Sequence, residues 1–127
     1  MAIRKFNVVP VTGTATATAY SPYFSGYIES IEYVKAGSNP YSDGVDFTIT
    51  ADVTGEAILS LTDQNSSVVK RPRAATHSTA GVASAYASGG TAVNDRIALS
   101  RDRVKVVIVQ GGNGKTGTFV ITVDDGR

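Results

Sequence analysis

The chain contains no cysteine and no tryptophan, and only one methionine and one histidine. Without cysteine there is no disulfide, no thiol nucleophile and no thiolate metal site. With His77 alone, a histidine-based metal centre lacks its further ligands. Twelve basic residues against eleven acidic ones give a formal net charge of +1. No global field therefore draws the chain to nucleic acid or to a membrane surface. Long hydrophobic runs are also missing. No segment approaches the roughly 20 apolar residues of a transmembrane helix, and Met1 to Phe6 lacks the apolar stretch of a signal peptide. The expectation is a chain made and folded in a cytosol, with no cofactor, metal, small-molecule substrate, nucleic acid or membrane.

What is present points to strands. A chain of 127 residues suits one domain, large enough to hold a core without staples. Its apolar residues are mostly Val, Ala, Ile and Tyr, set among Thr, Ser and Gly. β-Branched side chains and turn formers suit short strands better than long helices.

Ile3 to Val9 reads as a first strand or an arm, ended by Pro10, so that residues 1–10 precede a domain over 11–127. Val11 to Ala19 alternates Thr14, Thr16 and Thr18 with Ala15, Ala17 and Ala19. Both faces are small, as in an edge strand or one that another chain covers. Tyr27 to Val34 has no clean face, which predicts a bulge or a two-sided contact. Val45 to Val53 gives the clearest period of two, with Phe47, Ile49, Ala51 and Val53 on one side. After the turn at Thr54-Gly55, Glu56 to Thr62 completes a hairpin with Ala57, Leu59 and Leu61 inward.

Asp63 to Gly90 is too long for a bare loop. It predicts strands near Ser67 to Arg71 and Ala74 to Thr79, and a short helix over Ala80 to Tyr86. Ala92 to Leu99, the nearly continuous apolar Val104 to Val109, and Thr116 to Val123 follow, with a polar tail from Asp124 to Arg127. Val104 to Val109 is expected to be the most buried strand. About eight strands spaced roughly 8–12 residues apart predict an antiparallel sandwich or barrel.

Gly111-Gly112-Asn113-Gly114-Lys115-Thr116 resembles a phosphate loop, but its first glycine would fall on Val109 and a strand follows where a helix is required. A hairpin turn is the better reading. His77 has only Ser78 and Thr79 beside it, which are sequence neighbours and not a triad. Asp43, Asp46 and Asp52 lack calcium-loop spacing. Glu29 and Glu32 fall on opposite faces of one strand, so they cannot share a cleft. No enzyme is expected.

Lys70-Arg71-Pro72-Arg73 is the densest charge cluster, suited to carboxylates on a protein partner as well as to a plain solvated loop, with a phosphate or nucleic-acid contact the weakest of three readings at near-neutral net charge. Arg96, Arg101 and Arg103 are mixed with Asp95 and Asp102, a pattern that predicts local ion pairs. Tyr20, Tyr23, Tyr27 and Tyr33, with Phe24, concentrate aromatic area early in the chain. Core packing accounts for some of them, and tyrosine is also enriched at interfaces. The candidate interface residues are Lys70, Arg71, Arg73, Tyr20, Tyr23 and Phe24.

Several segments carry a resemblance. Val45-Asp46-Phe47-Thr48-Ile49-Thr50, Thr54-Gly55-Glu56-Ala57-Ile58-Leu59, Arg71-Pro72-Arg73-Ala74-Ala75-Thr76-His77, Arg103 to Gly112 and Lys115-Thr116-Gly117-Thr118-Phe119 resemble a family of small tailed-bacteriophage and prophage virion proteins associated with head genes. The likeness runs from about Gly26 to Val123. It implies a capsid cement, or decoration, protein: a small β-sandwich or jelly roll bound as a dimer or trimer outside a phage head. The major capsid protein and further copies of itself would then be its partners. Two other roles stay open, a tail, connector or fibre-base component and a glycan-binding sandwich whose tyrosines stack on sugars.

Overall fold

Side chains alternate across a strand, so each strand offers one face to a core. The computed structural model describes residues 2–85, 87 and 90–125, and ten strands form among them with no helix. They are β1 (Ile3–Val8), β2 (Ala17–Tyr20), β3 (Phe24–Lys35), β4 (Asp46–Ala51), β5 (Ala57–Leu61), β6 (Val68–Lys70), β7 (Arg73–Ala75), β8 (Asn94–Asp102), β9 (Val104–Val109) and β10 (Gly117–Asp124).

The strands build two antiparallel sheets. The larger has the order β1-β10-β3-β8-β7, with β6 also on β3; the smaller has the order β2-β9-β4-β5. The pairs nest: β1 with β10, β2 with β9, β3 with β8, β4 with β5. A long antiparallel ribbon folded back on itself and rolled up gives this order, which is that of a jelly roll. The short strands β6 and β7 lie outside the nested set. The fold is thus the expected all-β sandwich.

Inward residues of both sheets form the core. Phe47 and Ile49 of β4 and Val104, Val106 and Ile108 of β9 face Ile28, Ile31 and Tyr33 of β3 and Phe119, Ile121 and Val123 of β10, all buried. β9 is buried along one side only, since Val107 is half-buried and Val109 exposed. Four aromatic rings fasten one end. Phe47 meets Tyr33 at 4.6 Å and Phe119 at 4.9 Å, both edge-on. Tyr41 joins them at 5.9 Å from Phe47 and donates its hydroxyl to the Pro10 carbonyl at 2.6 Å. Gly117 has to be glycine, because a Cβ there would sit 2.7 Å from the Tyr41 ring and 2.8 Å from the Tyr33 ring.

The expected bulge lies in β3. Ser30 pairs with Thr122 and Ile28 with Val123, leaving Glu29 as the extra residue. This resets the alternation and turns Glu29 to the same outer face as Glu32, against the opposite-face reading. It also separates Tyr27, which is exposed, from Tyr33, which is buried. A second bulge lies where Thr50 pairs with Ala57 but Ile49 pairs with Leu59. The extra residue, Ile58, is the one that β5 buries, with Leu59 and Leu61 packed partly against the core and Ala57 exposed.

Other expectations need correction. Residues 80–85 form no helix; Gly81 takes φ +80° and the chain turns back. The Ser78 amide bonds Val82, the Ser84 amide bonds Thr76 and the Val93 amide bonds Ser84, a small meander prolonging β7 and β8. Tyr86, Gly89 and the end of the tail, Gly126 and Arg127, lie outside the described residues. Asp124 is not tail: it is buried at the end of β10. Val53 is exposed in the β4–β5 turn. Gly111 to Thr116 is no hairpin, because it joins β9 of one sheet to β10 of the other. Residues 3–8, the strand or arm, pair with β10 along their length and bury Phe6 and Val8.

Phe47→Ala removes the ring that touches both sheets. It is expected to lower the stability by about 3–5 kcal/mol, measured as a shift in denaturation midpoint with an unchanged m-value.

Candidate interaction surface

Where the chain passes from β8 to β9 it changes sheets at Asp102-Arg103. A corner like this leaves backbone amides without ladder partners, and Asp102 supplies acceptors for them. Its buried carboxylate accepts the amides of Val53 at 2.8 Å, Thr54 at 3.4 Å and Arg103 at 2.7 Å. Burial works against the charge, but the surrounding backbone N–H groups outweigh it and hold the carboxyl below its ordinary pKa. The β4–β5 turn is thereby locked to the β8–β9 corner.

Arg103 stands on this corner. Its guanidinium lies 3.8 Å from the Tyr20 ring centroid and 4.8 Å from that of Tyr23, while Nε donates to Asp52 at 2.9 Å. The Asp52 hydrogen bond, opposed by desolvation, raises the arginine pKa still further. Tyr20 ends edge strand β2 and is 41% exposed; Tyr23 precedes β3 and is 58% exposed. A cation between two ring faces holds each ring in place, worth about 0.5–1 kcal/mol per contact at exposed sites.

A second cluster lies on the outer face of the larger sheet. The Arg96 guanidinium covers Tyr27 at 4.3 Å and bridges Glu29 and Asp124, the latter at 3.0 Å. Arg73, paired across the ladder with Arg96, donates to the Glu29 carbonyl at 3.3 Å and the Pro72 carbonyl at 2.9 Å.

The six interface candidates therefore divide. Tyr20 and Tyr23 come together around Arg103. Arg73 joins the Arg96 cluster, while Lys70, which ends β6, and Arg71 after it are both exposed ahead of buried Pro72. Phe24, against expectation, belongs to the core: it is 5% exposed and packs on Phe6 at 5.4 Å. The local ion pairs read for Arg96 and Arg103 also fail. Asp95 and Asp102 accept the backbone amides of those arginines, whose side chains bind acids remote in sequence. Arg103, Arg96, Tyr27, Asp52 and Asp124 were missed as members. The signal that finds them is strand pairing, since Tyr20 opposite Lys105 puts Arg103 within reach.

The remaining motifs stay apart. Asp46 accepts the Asp63 amide and Asp52 binds Arg103, and among the described residues no three acidic or histidine side chains gather as a cation site would require. Gly111 is packed under Ile108, Thr12 and Tyr41, and a strand follows the glycine turn, which leaves no phosphate cradle.

No family model matches the chain, and no curated protein matches it. A solved structure described as the crystal structure of FLHE superposes with a TM-score of 0.44 at 9% identity, over 97% of this chain and 98% of that one. A likeness at that level carries no argument about function.

The lowered pKa of Asp102 fixes a sign. A carboxylate favoured by folding contributes stability above its unfolded pKa of about 4 and loses it as pH falls through the lower folded value. Asp102→Ala is expected to be less stable by about 2–4 kcal/mol at neutral pH. Denaturation at a series of pH values should show this gap narrowing below about pH 4.

Proposed function

We propose that this chain is a structural virion protein, a cement protein that binds the outer surface of a phage head and bridges capsomers. The observation that carries the reading is the corner at Arg103, where two exposed tyrosines are held in fixed positions on a jelly-roll frame. Tyrosine and arginine are the side chains most used as anchors in protein interfaces. Rings already ordered lose little freedom on binding, which leaves more of their contact energy as affinity. The resemblance of the chain to phage head-associated proteins supports the same role, as does the use of jelly rolls in capsid proteins.

In this reading the subunit is made in the host cytoplasm and acts on the finished particle. Tyr20 and Tyr23 seat on the major capsid protein. Lys70, Arg71 and Arg73 flank a second contact suited to carboxylates on that partner.

Quantitative mass spectrometry of purified particles tests the role. The expected result is a copy number on the scale of the capsid protein itself. A few copies per particle would favour a tail, connector or fibre-base component, and absence would leave glycan binding through the tyrosines. The double variant Tyr20→Ala, Tyr23→Ala is expected to reduce particle binding by about tenfold or more, with an unchanged circular dichroism spectrum.

A further inference from the structure

Sheet edges are where unpaired backbone groups accumulate, and proteins blunt them with charge, bulges, proline or shortness. Most edges here carry such a device. β1 displays Arg4 and Lys5; β5 is bulged at Ile58; β6 and β7 are three residues each and carry Lys70 and Arg73. β2, Ala17-Thr18-Ala19-Tyr20, is also short at four residues, but it has no charge, no proline and no bulge in its pairing with β9.

The phase of the β2–β9 ladder shows which groups lie on the open side. The Ser21 amide bonds the Val104 carbonyl at 2.9 Å, and the Gly111 amide bonds the Ala15 carbonyl at 2.8 Å. Odd-numbered residues thus direct their backbone groups toward β9. In an antiparallel ladder the intervening residues point the other way, as Thr16 does in accepting the Gly13 amide at 3.2 Å. The N–H and C=O of Thr18 and of Tyr20 therefore face outward from the sheet.

From this pattern we infer that β2 pairs with β2 of a second copy, antiparallel about a two-fold axis through Ala19. The register is self-complementary. Thr18 of each copy stands opposite Tyr20 of the other, both with outward groups, so each such pair exchanges two backbone hydrogen bonds. Isologous two-fold contacts require this property. Side-chain placement agrees. Ala17 and Ala19 are half-buried toward the core, while Thr18 and exposed Tyr20 share the outer face in both copies. No charged residue lies within the paired segment, so no like charges are brought into opposition there. The smaller sheet then runs continuously through both molecules, with one Tyr20-Arg103 corner on each side of the axis. The inference does not rest on the virion role, because it concerns the isolated protein.

Sedimentation equilibrium together with amide hydrogen exchange on the purified chain tests it. The expected result is a reversible dimer in which the Thr18 and Tyr20 amides are protected at high concentration and exchange freely on dilution. Thr18→Pro removes a donor used twice in the symmetric contact, at an edge position where proline is tolerated. It should raise the dimer dissociation constant by about thirtyfold. A monomer at all concentrations overturns the inference. So does an oligomer whose Thr18 and Tyr20 amides exchange freely at high concentration, and the wild-type exchange result stands even if the proline variant fails to fold.

Discussion

The contact of Phe47 with Tyr33 and Phe119 joins the two sheets, and the rest of the molecule is arranged around it. Phe47 belongs to the smaller sheet, and the other two rings belong to the larger. Edge-on packing at this spacing adds about 0.5–1.5 kcal/mol per pair beyond the area buried. The contact also constrains what surrounds it. Gly117 must lack a side chain to let Tyr41 and Tyr33 approach. Tyr41 in turn anchors the long β3–β4 loop and ties Pro10 to the end of the sandwich.

At the opposite end of β4 the chain solves a different problem. The β8–β9 corner crosses between sheets, and the buried Asp102 carboxylate replaces the missing ladder by accepting amides from two turns at once. The same corner sets Arg103 between Tyr20 and Tyr23. A structural requirement of the fold thus fixes the exposed aromatic surface proposed for the capsid contact. Arg96 does similar work on the larger sheet, where the bulge at Glu29 brings a carboxylate to the outer face to meet it.

Much of the fold was legible because period-two alternation reports burial directly. Phe47, Ile49 and Ala51, or Phe119, Ile121 and Val123, can be assigned inward from sequence alone. The bulge in β3 was legible as a conflict between the two faces of Tyr27 to Val34, although its position was not. The bulge at Ile58 left no such trace, because Ala57, Leu59 and Leu61 alternate convincingly in the wrong phase. The expected helix does not form over residues 80–85, where Gly81 and backbone pairing of Ser84 with Thr76 and Val93 prevail. Phe24 was misjudged because composition groups it with Tyr23, while strand phase sends adjacent residues to opposite faces. The Tyr20-Arg103 corner stayed hidden for a topological reason. It depends on β2 pairing with β9, a contact between distant segments that no local pattern encodes.

We propose that the Tyr20-Tyr23-Arg103 corner seats this chain on a phage capsid. Cryo-electron microscopy of the intact particle addresses it most directly. The predicted map shows the jelly roll repeated over the outer lattice of the head, with Tyr20 and Tyr23 buried against the capsid protein. A map with the subunit confined to one vertex or the tail, or with that corner facing solvent, would contradict it.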